Sequence, residues 1–197
     1  MKNSEWAIVS YLSQSKYGKL GNTNFTGANK EVYQNKSNRF ITGCSYGSPS
    51  NENTDFGCQY QYDIEINGTG ASTTGNIYGI YDMSGGAWEY VMGNYNDLLG
   101  NSGFSTMPDA KYYDKYTSDN VNIACNGNGC LSHGLSETAG WYNDYNDMIN
   151  TTYPWPVHSG RYDSNVNSGL FAFSPATSFG GNVTGGSFRL VVAMEWK

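Results

Sequence analysis

Two carboxylates, Asp82 and Glu89, flank a glycine-marked bend at Gly85-Gly86 within the segment Asn76 to Val91. The segment holds a short aliphatic-aromatic run, the bend, and a Trp88-Glu89-Tyr90 strand. Acidic side chains on both sides of a turn suit a cation wrapped by the chain. Calcium takes about six to eight oxygens from carboxylates and backbone carbonyls on adaptable loops. The plain alternative is that both side chains cap turn amides, as acidic residues near glycine bends often do.

Other reactive types give weaker signals. Cys44, Cys58, Cys125 and Cys130 contain no C-x-x-C pair, and no histidine stands at ligand spacing, which disfavours structural zinc. Of the three possible disulfide pairings the local one is expected, 44–58 with 125–130, each stapling a Gly/Asn-rich loop. Closing a loop of about 15 residues contributes about 3 kcal/mol in the chain-entropy picture. Disulfides imply an oxidising compartment, hence a secreted or surface-exposed chain. Four free thiols would instead place it in the cytosol. His133 and His158 are the only histidines, and neither a Gly-x-Ser-x-Gly nor a His-Glu-x-x-His motif surrounds them. Asp144 and Asp147 form a carboxylate pair of the kind glycosidases use, but a Tyr-rich loop predicts simple solvation. Tyr78, Tyr81, Trp88 and Tyr90 could form a stacking platform; strand spacing predicts packing instead, with Trp88 in the core.

These residues need a frame. At 197 residues the chain fits one domain, residues 1–197, able to bury roughly two-thirds of its unfolded surface. Charged residues are only 14%, while 25 Gly and 17 Tyr predict many turns and rings set among polar neighbours. Net charge is −6 without a Lys/Arg cluster, which argues against a nucleic-acid partner. No run of about 18 apolar residues is present, so this segment is not expected to insert in a membrane. The pattern predicts a helix over residues 3–15, capped by Asn3 or Ser4, with a Trp6-Val9-Leu12 stripe facing a sheet. Strands are predicted at Glu31–Tyr33, around Phe40–Thr42, over 60–66 and on both sides of the bend. Residues 96–152 read as long loops. The apolar run Ser187–Ala193 reads as a buried strand.

The segment 76–91 resembles the N-x-Y-G-L-x-D-M-x-G-N-x-W-E-W motif of the formylglycine-generating enzyme family, a branch of the C-type-lectin-like fold. Asn3-Ser4-Glu5-Trp6-Ala7 looks like that family's opening helix, and Ser187-Phe188-Arg189 like its closing strand. The chain departs from the family at Gly86, where Asn is frequent. The resemblance implies an α+β fold with a small twisted antiparallel sheet, one or two helices and long ordered loops. It also implies structural Ca2+ held by Asp82, Gly85, Ala87 and Glu89. The family's copper-binding cysteines have no counterpart between Trp155 and Phe188. Cu(I) requires soft thiolates, so copper and the oxidase chemistry are not expected.

Between fixed-looking positions, Pro154, Trp155, Gly160, Gly169-Leu170-Phe171 and Phe188-Arg189, stand mixed aromatic and polar residues. These are His158, Tyr162, Asp163, Asn165, Asn167, Phe173, Ser174, Thr177, Phe179 and Asn182, and with Trp155 and Arg161 they make the expected ligand-binding set. The spacing is similar to lectin-fold proteins diversified by retroelements, in which a fixed frame presents changeable contacts. Rigid aromatics with adaptable polar groups suit recognition. The resulting expectation is a non-catalytic, receptor- or adhesin-type domain at a bacterial or phage-derived surface, forming the end of a longer protein. Its ligand would be a protein or carbohydrate on another cell or particle. The alternatives are a divergent enzyme of the same family and a structural pilin or adhesin subunit.

Overall fold

The computed structural model describes residues 1–49, 55–117, 138–177 and 185–192. Helix α1 spans Asn3–Ser13. Its start is fixed by carboxylates, as expected where a helix leaves N–H groups unpaired. Glu5 Oε2 accepts the Lys2 N–H at 2.6 Å, and Asp114 accepts that of Ser4 at 2.6 Å. The buried face is Asn3, Trp6, Ser10 and Ser13, not the predicted apolar stripe. Trp6 is buried, Val9 half-buried, and Leu12 and Ile8 are exposed. Hydrogen bonding decides which face turns inward. Trp6 Nε1 and Ser10 Oγ both donate to Leu170 O, at 3.2 and 3.4 Å, so this polar face is satisfied when buried. Truncating Trp6 to alanine costs about 3–5 kcal/mol.

Six short strands are present among the described residues: β1 Trp88–Tyr90, β2 Gly93–Tyr95, β3 Asp114–Tyr116, β4 Pro156–Ser159, β5 Gly169–Pro175 and β6 Gly186–Phe188. The larger sheet has the order β5-β4-β1-β6, and β2 with β3 makes a separate parallel pair. The larger sheet is mixed rather than antiparallel, because β6 runs parallel to β1. The coarse class is therefore α+β, with one α-helix among the described residues and long loops carrying short 3-10 turns.

Side chains alternate across a strand, and the register sorts them into two rows. Tyr90 pairs with Val157 and Val157 with Ser174, while Glu89 pairs with His158 and His158 with Phe173. The Glu89 row faces α1, where Trp6 stacks on His158 at 4.9 Å. Trp6, Val32, Met83, Val91, Leu170 and Phe171 close the core on that side. On the other face Tyr113, Trp155, Val157 and Ala176 form a second cluster, with Trp88, Tyr90, Met92 and Met107 packed at its margin. β5 ends the strand order, yet loop 144–147 covers its outer edge. Phe173 N donates to Tyr145 O and Asp147 N to Phe173 O, both at 3.0 Å.

Several predicted strands are absent. Residues 31–33 are extended and buried but unladdered, and 40–42 turn. Tyr60 makes a single bridge to Ser45, after which the chain winds into turns. There Ile64 O accepts the Gly68 N–H at 2.8 Å, so local bonds replace a ladder. Both predicted strands of the 76–95 region lie after the bend, as β1 and β2. The tail is also corrected: β6 ends at Phe188, and Phe188 and Leu190 are 69% and 83% exposed. Among the described residues β6 pairs only with β1; Ala193 lies outside them.

Cys44 and Cys58 form a disulfide with Cα atoms 5.2 Å apart. Cys125 and Cys130 lie outside the described residues. No described helix is long and apolar enough to cross a membrane.

Candidate ligand-binding groove

At the bend, Gly85 and Gly86 adopt φ of 75° and 70°, which side-chain-bearing residues rarely tolerate. A Cβ on Gly85 would lie 2.3 Å from Asn35 O, so the close approach of Asn35 also demands glycine there. Three of the four predicted cation ligands have hydrogen-bond partners in or beside this turn. Asp82 Oδ1 accepts from Asn35 Nδ2 at 2.7 Å and from the Gly43 N–H at 2.9 Å. Gly85 O accepts the Ser159 hydroxyl at 2.9 Å. Both Glu89 oxygens receive the Arg189 guanidinium at 2.5 Å. Burial raises the Glu89 pKa, with Arg189 working in the opposite direction. Asp82, Ala87, Glu89 and Arg189 line a cavity of about 360 Å³. No group of three or more His, Cys, Asp or Glu placed to hold a metal occurs among the described residues.

The predicted recognition residues divide by the pleat. Trp155, His158 and Phe173 are corrected from surface to interior, being 1%, 5% and 0% exposed. Trp155 Nε1 donates to Leu99 O at 3.1 Å, and His158 Nε2 lies 2.6 Å from Asn3 Oδ1. Burial pushes the His158 pKa down to about 3, so the ring is neutral. Tyr162 points toward Phe40 and Phe56, meeting both edge-on at 5.8 and 5.3 Å. Phe179 and Asn182 lie outside the described residues.

The remaining six converge. Arg161, Ser174 and Thr177 line one basin of about 390 Å³, together with Trp88, Tyr90, Tyr145, Asp147 and Val157. Asp163, Asn165 and Asn167 line a second of about 610 Å³, again with Trp88 and Tyr145. Because two residues are common to both, the basins form one groove with an aromatic waist. Arg161 is fixed across it: Nε donates to Asp163 Oδ1 at 2.8 Å, and the same carboxylate's second oxygen takes the terminal guanidinium nitrogen. Asn165 Oδ1 accepts from Lys36 Nζ at 3.1 Å.

Sequence reasoning missed five of these lining residues, Val157 among them. Trp88 is half-buried at the groove rather than in the core. Tyr90 stands two residues on and shares its face, the i, i+2 spacing around Glu89 being the available signal. Tyr145, 41% exposed, and Asp147 show the same spacing in what reads as plain loop.

A third assembly is buried. Lys19 Nζ donates to the carbonyls of Glu31 and Gly70 at 2.5 Å, with the rings of Tyr33 and Phe25 at 3.6 and 4.5 Å. Burial lowers its pKa to about 6. Burial raises Glu31 to about 8, the charge of Asp144 adding to the shift. Asp144 rises to about 7 by burial, although its Oδ2 accepts the Phe171 N–H at 2.9 Å. None of these three groups lines either basin.

Comparison with protein-family models, curated proteins and solved structures finds no match.

Proposed function

We propose that this chain is a non-catalytic recognition domain that holds its ligand in the groove between Trp88 and Tyr145. The observation carrying this reading is a separation of roles. Arg161, Asp163, Asn165, Asn167, Ser174 and Thr177 meet at one concave aromatic-polar surface, whereas the strongly shifted groups among the described residues, Lys19, Glu31, Tyr116, Asp144 and His158, are buried and line neither basin. A catalytic site needs its tuned acids and bases within reach of substrate. A binding surface needs aromatic anchors with polar groups to orient the ligand. The finer fold proposed is the C-type-lectin-like frame, supported by the bend segment forming an inner strand of the sheet and by the Met1 ammonium donating to Arg189 O at 3.0 Å. The Cys44–Cys58 link supports an oxidising, extracellular setting.

Probing peptide and glycan arrays with the wild-type protein and with Tyr145→Ala tests the reading. Binding that Tyr145→Ala abolishes without changing the melting temperature supports it; hits indifferent to groove substitutions overturn it. A calcium ion at Asp82, Gly85, Ala87 and Glu89 completes the proposal. EDTA lowers the melting temperature if the ion braces the bend, and an unchanged melt leaves that role to Arg189.

A further inference from the structure

The smaller basin has a chemical bias that the groove as a whole does not. Three aromatic side chains, Trp88, Tyr90 and Tyr145, line it together with the carboxylate of Asp147. The first two rise from one face of β1, and Tyr145 enters from the loop stitched to β5. Arg161 is the cation of this wall, and Asp163 grips it through both oxygens. That ion pair is locally neutral. Asp147 makes no side-chain hydrogen bond or ion pair among the described residues, so the basin keeps one uncompensated negative charge at its exposed rim.

From this geometry we infer that the smaller basin takes an organic cation, the alkylammonium or guanidinium end of a side chain on a basic peptide. Aromatic rings attract cations through their quadrupoles, and the attraction grows where rings displace water. Asp147 supplies the counter-charge. An anion would meet the same carboxylate and the same negative ring faces, so phosphate and sulfate groups are selected against. The chain's net charge of −6 favours approach of a basic partner in the same sense. The volume, about 390 Å³, lies within the range of small-molecule sites, roughly 300–1,000 Å³, and admits one such group with the stem that carries it. The inference rests on the groove being the binding surface and adds the chemistry of the group that enters one end.

The probe is N-acetyl-trimethyllysine methylamide, titrated by NMR of the indole N–H signals. Its neutral carbon isostere, with a tert-butyl group in place of the trimethylammonium, serves as the control. The cation should bind about fivefold tighter than the isostere, the scale of a partly desolvated cation–aromatic contact. Asp147→Asn, an exposed substitution, should erase most of that preference, and Tyr145→Leu should weaken both probes. Equal binding of the two probes, lost together in Tyr145→Leu, overturns the cation assignment and leaves the groove reading standing as apolar recognition. Binding of the cation unaffected by either substitution places it elsewhere and overturns the assignment. No binding of either probe also overturns it, and the array result with Tyr145→Ala then decides the groove reading by itself.

Discussion

One three-residue strand faces two different worlds. On the inner side of β1, Glu89 is buried with both carboxylate oxygens on Arg189. On the outer side, one residue before and one after, Trp88 and Tyr90 border open space. The inner face reaches its hydrogen bonds within the protein; the outer face contributes two rings to the groove wall, beside Asp147 from the neighbouring loop. If the groove is the recognition surface we propose, stability and recognition are divided by the pleat of a single strand, and substitutions on the two faces should fail in different ways.

The largest effect belongs to the inner face. Arg189→Met strands a buried carboxylate, which costs about 3–5 kcal/mol. The double change Arg189→Met with Glu89→Gln should recover much of that loss in a thermal melt. If the single variant melts like wild type, the two faces do not differ as described.

A pH test comes next. Burial raises Asp144 from 3.8 to about 7, so its protonated form is favoured in the folded chain. Its contribution is therefore complete below about pH 4 and is lost as pH climbs through about 7. Glu31, raised to about 8, acts in the same direction, while Lys19, lowered to about 6, acts oppositely. Asp144→Asn keeps an acceptor for the Phe171 N–H and isolates one group. It should gain on wild type by a few kcal/mol between about pH 5 and pH 8, measured by denaturant unfolding. A constant difference across that range would remove Asp144 from the account.

Reducing Cys44–Cys58 should cost about 2–4 kcal/mol. Alkylation without reductant followed by mass measurement should find both thiols protected. The smallest stability effect is expected on the outer face. Tyr145→Ala and Asp147→Asn should each change stability by under about 0.5 kcal/mol while binding in the groove is lost or weakened. A large destabilisation from either would mean that the outer face also serves to hold the fold.

How much of this the sequence disclosed depends on whether side-chain polarity predicts burial at each position. The bend and the Trp88-Glu89-Tyr90 strand were legible because glycines and alternating rings speak locally. The 44–58 link was legible from spacing alone. α1 was legible as a helix, but its face was misread: Ser10 and Asn3 go inward because Leu170 O, Tyr116 and His158 offer them partners. Those partners come from distant parts of the chain, which periodicity cannot see. The groove residues were half legible for the same reason. Arg161, Asp163, Asn165 and Asn167 sit in a polar loop that reads as surface, whereas His158 and Phe173 were taken inside by strand pairing and Trp155 by packing with Tyr113, Val157 and Ala176. Lys19 gave no sign of burial, since its acceptors are carbonyls that the fold alone brings together.

At Phe173 the seam between loop 144–147 and β5 is made of main-chain atoms, Phe173 bonding to Tyr145 O and to Asp147 N. A joint of that kind is indifferent to what its residues carry. Positions 145 and 147 can therefore be rewritten in almost any lettering without unpicking the stitch, which makes this lip the natural place to graft a new specificity onto an unchanged body.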